Sequence, residues 1–583
     1  MRSDLTWMIG GKTGEGVDSA GEVFALGAAR SGLEVHTFRL FPPIIKGGPT
    51  AYEVRIGPRP LHARGDRLDC LVALDNDTIA KHGATLRPGG FLVVDDGRVT
   101  GEGVPDAVRC PVPLTKLAAD AGGAIMKNMV ALGVSTRLLG LNPAGLREAV
   151  RRRFESKGAP VQTQNAAAVD VGWRFADTAW RDRPAPAAWT AGRAAGGAGP
   201  AATYFLSGND AIAMGALAAG CRLYASYPIT PASDILEWMA AHLPAVGGAA
   251  VQTEDEIAAL GLVIGAAYAG VRAMTATSGP GLSLMTETMG LAGMAEIPAV
   301  IIAAQRPGPS AGMPTRHEQG DLLHMVYASH GEFPRIVLAP GSLEECFLDT
   351  ALAFNLAERY QCPVIVATDQ DVVLKKRTVR ALPLDEVRID RGARVTDAEA
   401  QALGPAYRRY ALTPSGISPR AIPGQPGALF LSSGDAHDER GTIDVDDPAV
   451  RRAMVEKRLR KTRGIWESVA GVRVEGEGDA LVISLGSPCG PIREALARLR
   501  ADGLSIRFLQ VRCLWPFPAH EVGPEIARAR KIAVIEHNAT GQLATLIAAH
   551  AGGHGKLWPV RKYDGLPFSP GEVEAQVRAW LRS

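Results

Sequence analysis

Short apolar runs alternate with longer stretches of helical periodicity along most of this chain. Leu5–Gly10 reads as a strand that runs into Gly10-Gly11-Lys12-Thr13-Gly14-Glu15-Gly16, after which positions 17 to 31 carry a helical repeat. Further strand candidates at Leu33–Phe38, Cys70–Leu74 and Gly90–Asp95 alternate with helical stretches, which predicts an α/β domain on a parallel sheet. Apolar strand candidates return at Ala273–Thr277, Ala299–Ala304 and Val364–Ala367, and again at positions 480–486, 506–511 and 531–536. The expected fold is therefore α/β with three domains, at 1–180, 203–376 and 477–583. The Pro/Ala/Gly-rich stretch 181–202 reads as a linker. The segment 377–476, richer in charge, Gly and Pro, reads as an irregular connector that wraps a neighbouring surface.

Charge is nearly balanced, with 63 basic and 61 acidic residues, so neither nucleic acid nor an anionic membrane is an expected partner. Met1–Trp7 lacks the apolar core of a signal peptide, and a cytoplasmic location is expected. The longest span candidate, Ile257 to Met274, is rich in Ala and Gly, contains Arg272 and follows three acidic residues, which favours a buried helix of a globular domain. Seven cysteines without a Cys-x-x-Cys run point to reduced thiols, and away from a metal or iron–sulfur site built locally by this chain.

The glycine run at 10–14 is not a Walker A loop, because the first Gly of that motif would fall on Thr6. A tight strand-to-helix turn is its expected role. Gly434-Asp435-Ala436-His437-Asp438-Glu439 gathers acids and a histidine, but its place in the connector favours a structural turn over a metal site. Tyr227-Pro228-Ile229-Thr230-Pro231 brackets Thr230 between two prolines, a rigid bend that favours a positioned hydroxyl; the alternative is a cap for the helix expected near Ser233. Thr253-x-x-Glu256 fits a capping box, in which Glu256 bonds back to the N-cap amide.

Six ordered stretches together give the chain a family resemblance. They are Ile45-Lys46-Gly47-Gly48, the Tyr-Pro-Ile-Thr-Pro run, Glu254-Asp255-Glu256-Ile257-Ala258-Ala259, Gln305–Ser310 with Gly312-Met313-Pro314-Thr315, Ser418–Gly424, and Glu536-His537-Asn538-Ala539-Thr540-Gly541-Gln542-Leu543. Over nearly the whole length the chain resembles the alpha subunit of the 2-oxoacid:ferredoxin oxidoreductases, with a gamma-type domain fused in front. The resemblance implies a thiamine-diphosphate pyrimidine-binding domain in the middle and a transketolase C-terminal-like domain at the end, to which no chemistry is assigned. It implies oxidative decarboxylation of a 2-oxoacid, 2-oxoglutarate foremost, to acyl-coenzyme A, with ferredoxin as electron acceptor.

Within that resemblance Glu256, nine residues before Gly265, is the acid beside the aminopyrimidine, and Tyr227, Pro228, Ile229 and Thr230 line the cofactor. Arg306 grips the substrate carboxylate, and Thr230 and Thr315 donate hydrogen bonds. Lys46 attracts substrate or coenzyme A at the entrance, against the alternative of a solvated turn lysine. The family often has Thr where this chain has Ala311, which touches substrate choice. No Gly-Asp-Gly run and no run of cluster ligands occurs, so a partner chain is expected to bring Mg²⁺, the diphosphate grip and the redox centre; the resemblance implies that this is a beta subunit with a 4Fe–4S cluster, in an α2β2 enzyme. Two rival readings are a subunit of a non-redox thiamine decarboxylase and a non-catalytic assembly subunit.

Overall fold

Strand β1 (Leu5–Lys12) is buried at every position but its last, as befits an interior strand covered on both faces. The computed structural model describes residues 4–43, 47–182 and 204–583, in two units. In the first unit β1 is joined by β2 (Glu34–Leu40), β3 (Pro49–Gly57), β4 (Leu68–Ala73), β5 (Leu86–Asp95) and β6 (Val108–Val112). Two short strands complete the sheet, β7 (Tyr204–Ser207) and β14 (Lys376–Val379), in the order β6-β5-β4-β1-β3-β2-β14-β7.

The expected parallel sheet is found only on the β1, β4, β5, β6 side. β3 lies antiparallel between β1 and β2, from Leu5↔Ile56 to Lys12↔Pro49, so the sheet is mixed. Charged side chains inside the sheet hid β3 from the hydrophobic pattern. Arg55 pairs with Asp4 at 2.8 Å, and Glu53 pairs with Arg64 at 2.9 Å. The strands that flank the middle domain also join this sheet: Thr378 Oγ1 donates to Glu34 Oε2 (2.5 Å), and the Lys376 amide donates to Thr37 Oγ1 (2.9 Å).

The second unit holds two sheets on one continuous apolar core, in which Ile301, Ile365 and Met289 are joined by Leu481, Ile483 and Val534. The first sheet comprises β8 (Leu223–Ser226), β9 (Ala249–Gln252), β10 (Ala273–Thr277), β11 (Ala299–Gln305), β12 (Ile336–Leu338) and β13 (Pro363–Asp369), all parallel, with the short β18 (Cys513–Trp515) antiparallel on β12. The second comprises β15 (Val472–Glu475), β16 (Ala480–Ser484), β17 (Ile506–Val511), β19 (Lys531–Glu536) and β20 (Leu557–Arg561), in the order β15-β17-β16-β19-β20.

The connector is less irregular than expected, because it contains a 21-residue helix, Pro448–Ser468. Its inward face carries Lys457 and Lys461 where an apolar stripe would normally stand, and so shows no hydrophobic period. Both ammonium groups close on one fully buried carboxylate, with Lys457 Nζ 2.6 Å and Lys461 Nζ 2.5 Å from Glu296. Those cations hold the Glu296 carboxyl down near 2, although burial alone would raise it. Removing the shared anion leaves two buried ammonium groups unpaired. Glu296→Gln is expected to destabilise the chain by about 3–5 kcal/mol, read as a lowered thermal midpoint; an unchanged midpoint would show that the pair is not a structural tie. Elsewhere in the connector, Arg420 reaches Glu358 (3.0 Å) and the carbonyl of Ala267 (3.1 Å), fastening the Ser418–Gly424 stretch to the end of the helix Glu256–Tyr268.

Candidate active site

In the sheet of β8–β13, the chain leaves β8 to form β9 on one side and returns to β10 on the other. At such a reversal the loops after the two strands diverge and open a crevice at the carboxyl ends of the strands. The residues singled out in the sequence follow those strand ends. Tyr227–Thr230 comes after β8, Glu256 after β9 and Arg306 directly after β11.

Thr230 and Arg306 meet: Arg306 Nη1 donates to the Thr230 carbonyl at 2.7 Å. The helix Ser233–His242 begins at Ala232 without a side-chain cap, so the Thr230 hydroxyl is not consumed in capping. The next carbonyl, Pro231, accepts from Asn209 Nδ2 at 2.9 Å, which pins the bend from behind. Tyr227 and Pro228 are exposed at the rim, and Ile229 is half-buried.

Glu256 is 6% exposed and stands at the first position of the helix Glu256–Tyr268. The capping box is absent. Asp255 is the N-cap and accepts from the Ala258 amide at 2.8 Å, while the Thr253 hydroxyl donates to the Asp255 carbonyl. Glu256 is thus released from capping, and its side chain turns toward the loop after β10. A Cβ on Gly281 would lie 2.4 Å from Glu256 Oε1 and 2.0 Å from Thr277 Oγ1, so only glycine leaves room for that carboxylate. The outer face of the same helix is not buried, contrary to expectation. Ile257 and Leu262 are exposed, and open space lies above Gly261 and Gly265.

Asp321 was not anticipated. Its carboxylate would lie 2.6 Å from a Cβ on Gly279, so Asp321 and Glu256 flank the same Gly279-Pro280-Gly281 turn. Burial pushes the Asp321 carboxyl up to about 6 against the pull of Arg306, and burial also lowers the Arg306 guanidinium. The Asp321 amide donates to Gln305 Oε1 at 3.0 Å, next to Arg306 in the chain. Two buried polar atoms at these loops, Arg306 Nε and Ser278 Oγ, have no hydrogen-bond partner. Thr277-Ser278-Gly279-Pro280-Gly281 was legible as a strand end with a turn signal. Asp321 lay in a stretch without periodicity and had no such signal.

Thr315 is buried in the loop beyond Arg306, with its carbonyl accepting from Arg316. Lys46 lies outside the described residues. In the first unit, Glu15 folds over the glycine turn, taking the Lys12 amide at 2.8 Å and the Lys127 ammonium at 2.8 Å. A carboxylate already occupies that turn where a phosphate would have to sit. His437 engages the carbonyls of Asp438 and Met294, a structural use in keeping with the expected turn. Among the described residues no group of three or more His, Cys, Asp or Glu is placed to hold a metal, and no helix is long and apolar enough to cross a membrane.

His317, Asp369 and Ser487 form a constellation reminiscent of a nucleophilic triad. His317 Nε2 lies 3.2 Å from Ser487 Oγ, and Nδ1 lies 3.6 Å from Asp369 Oδ1. The orienting bond of a triad is missing: Asp369 stands beyond hydrogen-bond distance of Nδ1, which faces the Asp371 amide instead. All three side chains are buried, and Asp369 also accepts from Gln319 Nε2, Ser487 N and Val372 N. This is a polar clasp between the two sheets of the second unit.

The pyrimidine side of thiamine diphosphate needs a shielded carboxyl that its own helix does not consume, and the buried Glu256, uncoupled from capping, fits that requirement. Three family models match the chain in series. Residues 6–175 match pyruvate ferredoxin/flavodoxin oxidoreductase, residues 214–457 its thiamine-diphosphate-binding domain, and residues 478–573 core domain II of pyruvate:ferredoxin oxidoreductase. The 2-oxoacid:ferredoxin oxidoreductase alpha subunit of a Sulfolobus species is 32% identical, over 98% of this chain and 96% of its own. The 2-oxoglutarate synthase subunit KorA of Methanothermobacter thermautotrophicus is 39% identical over 64% of this chain and 96% of its own. Among solved structures, the 2-oxoglutarate:ferredoxin oxidoreductase from Magnetococcus marinus with 2-oxoglutarate, coenzyme A and succinyl-CoA bound superposes with a TM-score of 0.91 at 35% identity, covering 100% of both chains. The chain belongs to the 2-oxoacid:ferredoxin oxidoreductase family, as an alpha subunit whose gamma-type domain is fused at its N-terminal side.

Proposed function

We propose that this subunit, joined to a beta subunit, converts 2-oxoglutarate, coenzyme A and two oxidised ferredoxins into succinyl-CoA, carbon dioxide, two reduced ferredoxins and a proton. The observation that carries this reading is the buried Glu256 carboxylate, free of its helix cap and packed on Gly281, with the Arg306–Thr230 contact at the ends of strands of the same sheet. Thiamine diphosphate, when bound, supplies the nucleophilic carbon that adds to the keto group and the electron sink that loss of carbon dioxide requires. Glu256 shares a proton with the pyrimidine nitrogen, and Tyr227–Thr230 lines the ring. Arg306 binds the substrate carboxylate through the donors that Thr230 leaves available, Nε among them, in a site dry enough to strengthen that bond. The hydroxyls of Thr230 and Thr315 donate to the substrate as charge develops on its keto oxygen.

The beta subunit provides the Mg²⁺, the diphosphate grip and the cluster, and packs on the exposed helix face of Ile257, Gly261, Leu262 and Gly265. The reading includes an α2β2 assembly that works in the cytoplasm. Lys46 serves at the entrance for the anionic substrates.

A panel of 2-oxoacids on the assembled enzyme tests the assignment, with viologen reduction followed in the presence and absence of coenzyme A. The expected outcome is strict dependence on coenzyme A, with kcat/KM for 2-oxoglutarate about tenfold or more above pyruvate, the order of discrimination that one added charged contact gives. Equal rates would remove 2-oxoglutarate as the preferred substrate. Carbon dioxide release without reduction would instead favour the non-redox decarboxylase.

A further inference from the structure

The Glu536–Leu543 stretch has no role in the chemistry above, yet it is built with unusual care. Glu536 is buried and accepts from the amides of Leu543 (2.8 Å) and Ala544 (3.3 Å) and from Asn538 Nδ2 (2.8 Å). Asn538 Oδ1 in turn accepts from the amides of Gly541 (2.8 Å) and Gln542 (3.1 Å). Two side chains thus satisfy the orphan amides that open the ten-residue helix Gln542–Ala551. Their joint effect is to hold Gln542 in one place.

The Gln542 side chain then bridges to a segment more than two hundred residues away. Nε2 donates to the Gly320 carbonyl at 2.7 Å, and Oε1 accepts from the Leu323 amide at 3.0 Å. These two backbone groups bracket Asp321. His537 contributes its carbonyl to the Gln319 amide at 2.6 Å. Asp321 is held from the opposite side by Gln305, the neighbour of Arg306.

We propose that the Glu536–Gln542 turn positions the active-site grip, with Gln542 fixing the Gly320–Leu323 segment so that the Asp321 carboxylate stays in register with the Arg306 guanidinium. The inference rests on the reading of Arg306 as the substrate-carboxylate ligand. Gln542 is a positioning residue, acting through Asp321. A purely structural role is already filled by the His317–Asp369–Ser487 clasp, which ties the two sheets together without Gln542. Gln542 is aimed one step further on, at the residues flanking Asp321.

The test uses the assembled enzyme with Gln542→Met, which keeps the length of the side chain and removes both bonds. Expected is a KM for 2-oxoglutarate raised about tenfold, with kcat and the KM for coenzyme A within about twofold of the unmodified enzyme. Hydrogen exchange at the Leu323 amide is expected to accelerate while the thermal midpoint falls only slightly, as the loss of two partly buried hydrogen bonds requires. Gln542→Asn, polar but too short to bridge, is expected to behave alike. An Arg306→Gln arm separates the two layers of the argument. If it raises the 2-oxoacid KM while Gln542→Met does not, the positioning role falls and the carboxylate ligand stands; if it leaves that KM unchanged, the underlying reading falls. A fall in kcat and in the thermal midpoint together with a rise in both KM values, in both Gln542 variants, would show general support of the fold and overturn the proposal.

Discussion

Glu256→Gln in the assembled enzyme is expected to lower kcat about 1,000-fold, equivalent to about 4 kcal/mol of transition-state stabilisation. The amide keeps the size of the side chain and fits over Gly281, but it has no acidic proton to share with a ring nitrogen. The KM for the 2-oxoacid should change little, because in the proposed function Arg306 and Thr230, not Glu256, hold the substrate. The thermal midpoint should also change little, since helix capping is done by Asp255. Asp255→Ala provides the contrast: it is expected to cost about 1 kcal/mol of stability, as loss of an N-cap does. Steady-state kinetics and thermal unfolding of the two variants distinguish a proton-sharing acid from a helix-start acid. A decrease in kcat of less than tenfold in Glu256→Gln would remove Glu256 from the chemistry.

The second large effect is all-or-none. The polypeptide alone is expected to show no 2-oxoacid-dependent viologen reduction, and admixture of its beta subunit should restore turnover. Each turnover releases two electrons, which need an acceptor held near the reacting carbon. The cysteines of this chain are poor candidates for binding one. All seven are buried, they are spread from Cys70 to Cys513, and burial pushes the thiols of Cys221, Cys362, Cys489 and Cys513 up to about 12. Among the described residues they join no group of three or more ligating side chains, and thiols so reluctant to ionise are poor nucleophiles. The chain also lacks the Gly-Asp-Gly run that would bring Mg²⁺ to the diphosphate. Turnover by the isolated chain at a rate comparable to the mixture would overturn the division of the site between two polypeptides.

The rival reading of a non-catalytic assembly subunit differs from these expectations on one point. A subunit that only organises the complex would tolerate Glu256→Gln without kinetic consequence. Thr230 bonded to Arg306, and Glu256 relieved of capping, are arrangements that assembly alone does not require.

Much of this protein is determined by its sequence alone. Strand β10 begins and ends where its apolar run does, and β11 and β13 differ from theirs by a residue or two at the ends. The reason is that strands buried on both faces must be apolar throughout, which is a local property of the chain. The loops after β8, β9 and β11 announced Thr230, Glu256 and Arg306 by proline bracketing, acidic helix-start residues and family pattern. Four features required the tertiary structure. β3 and the helix Pro448–Ser468 carry buried charges whose partners, Asp4, Arg64 and Glu296, lie up to 165 residues away, so neither shows the period that would reveal it. β7 and β14 join the first sheet because the Lys376 amide and Thr378 hydroxyl of β14 find partners on β2, and β7 pairs with β14. Asp321 stands against the Gly279 turn in a segment whose backbone is bonded to Gln542, 222 residues beyond Gly320. Hydrophobic period reports which side of a local element faces water; satisfaction of buried charges and backbone groups is settled across the whole chain, and leaves no trace in any one window of it.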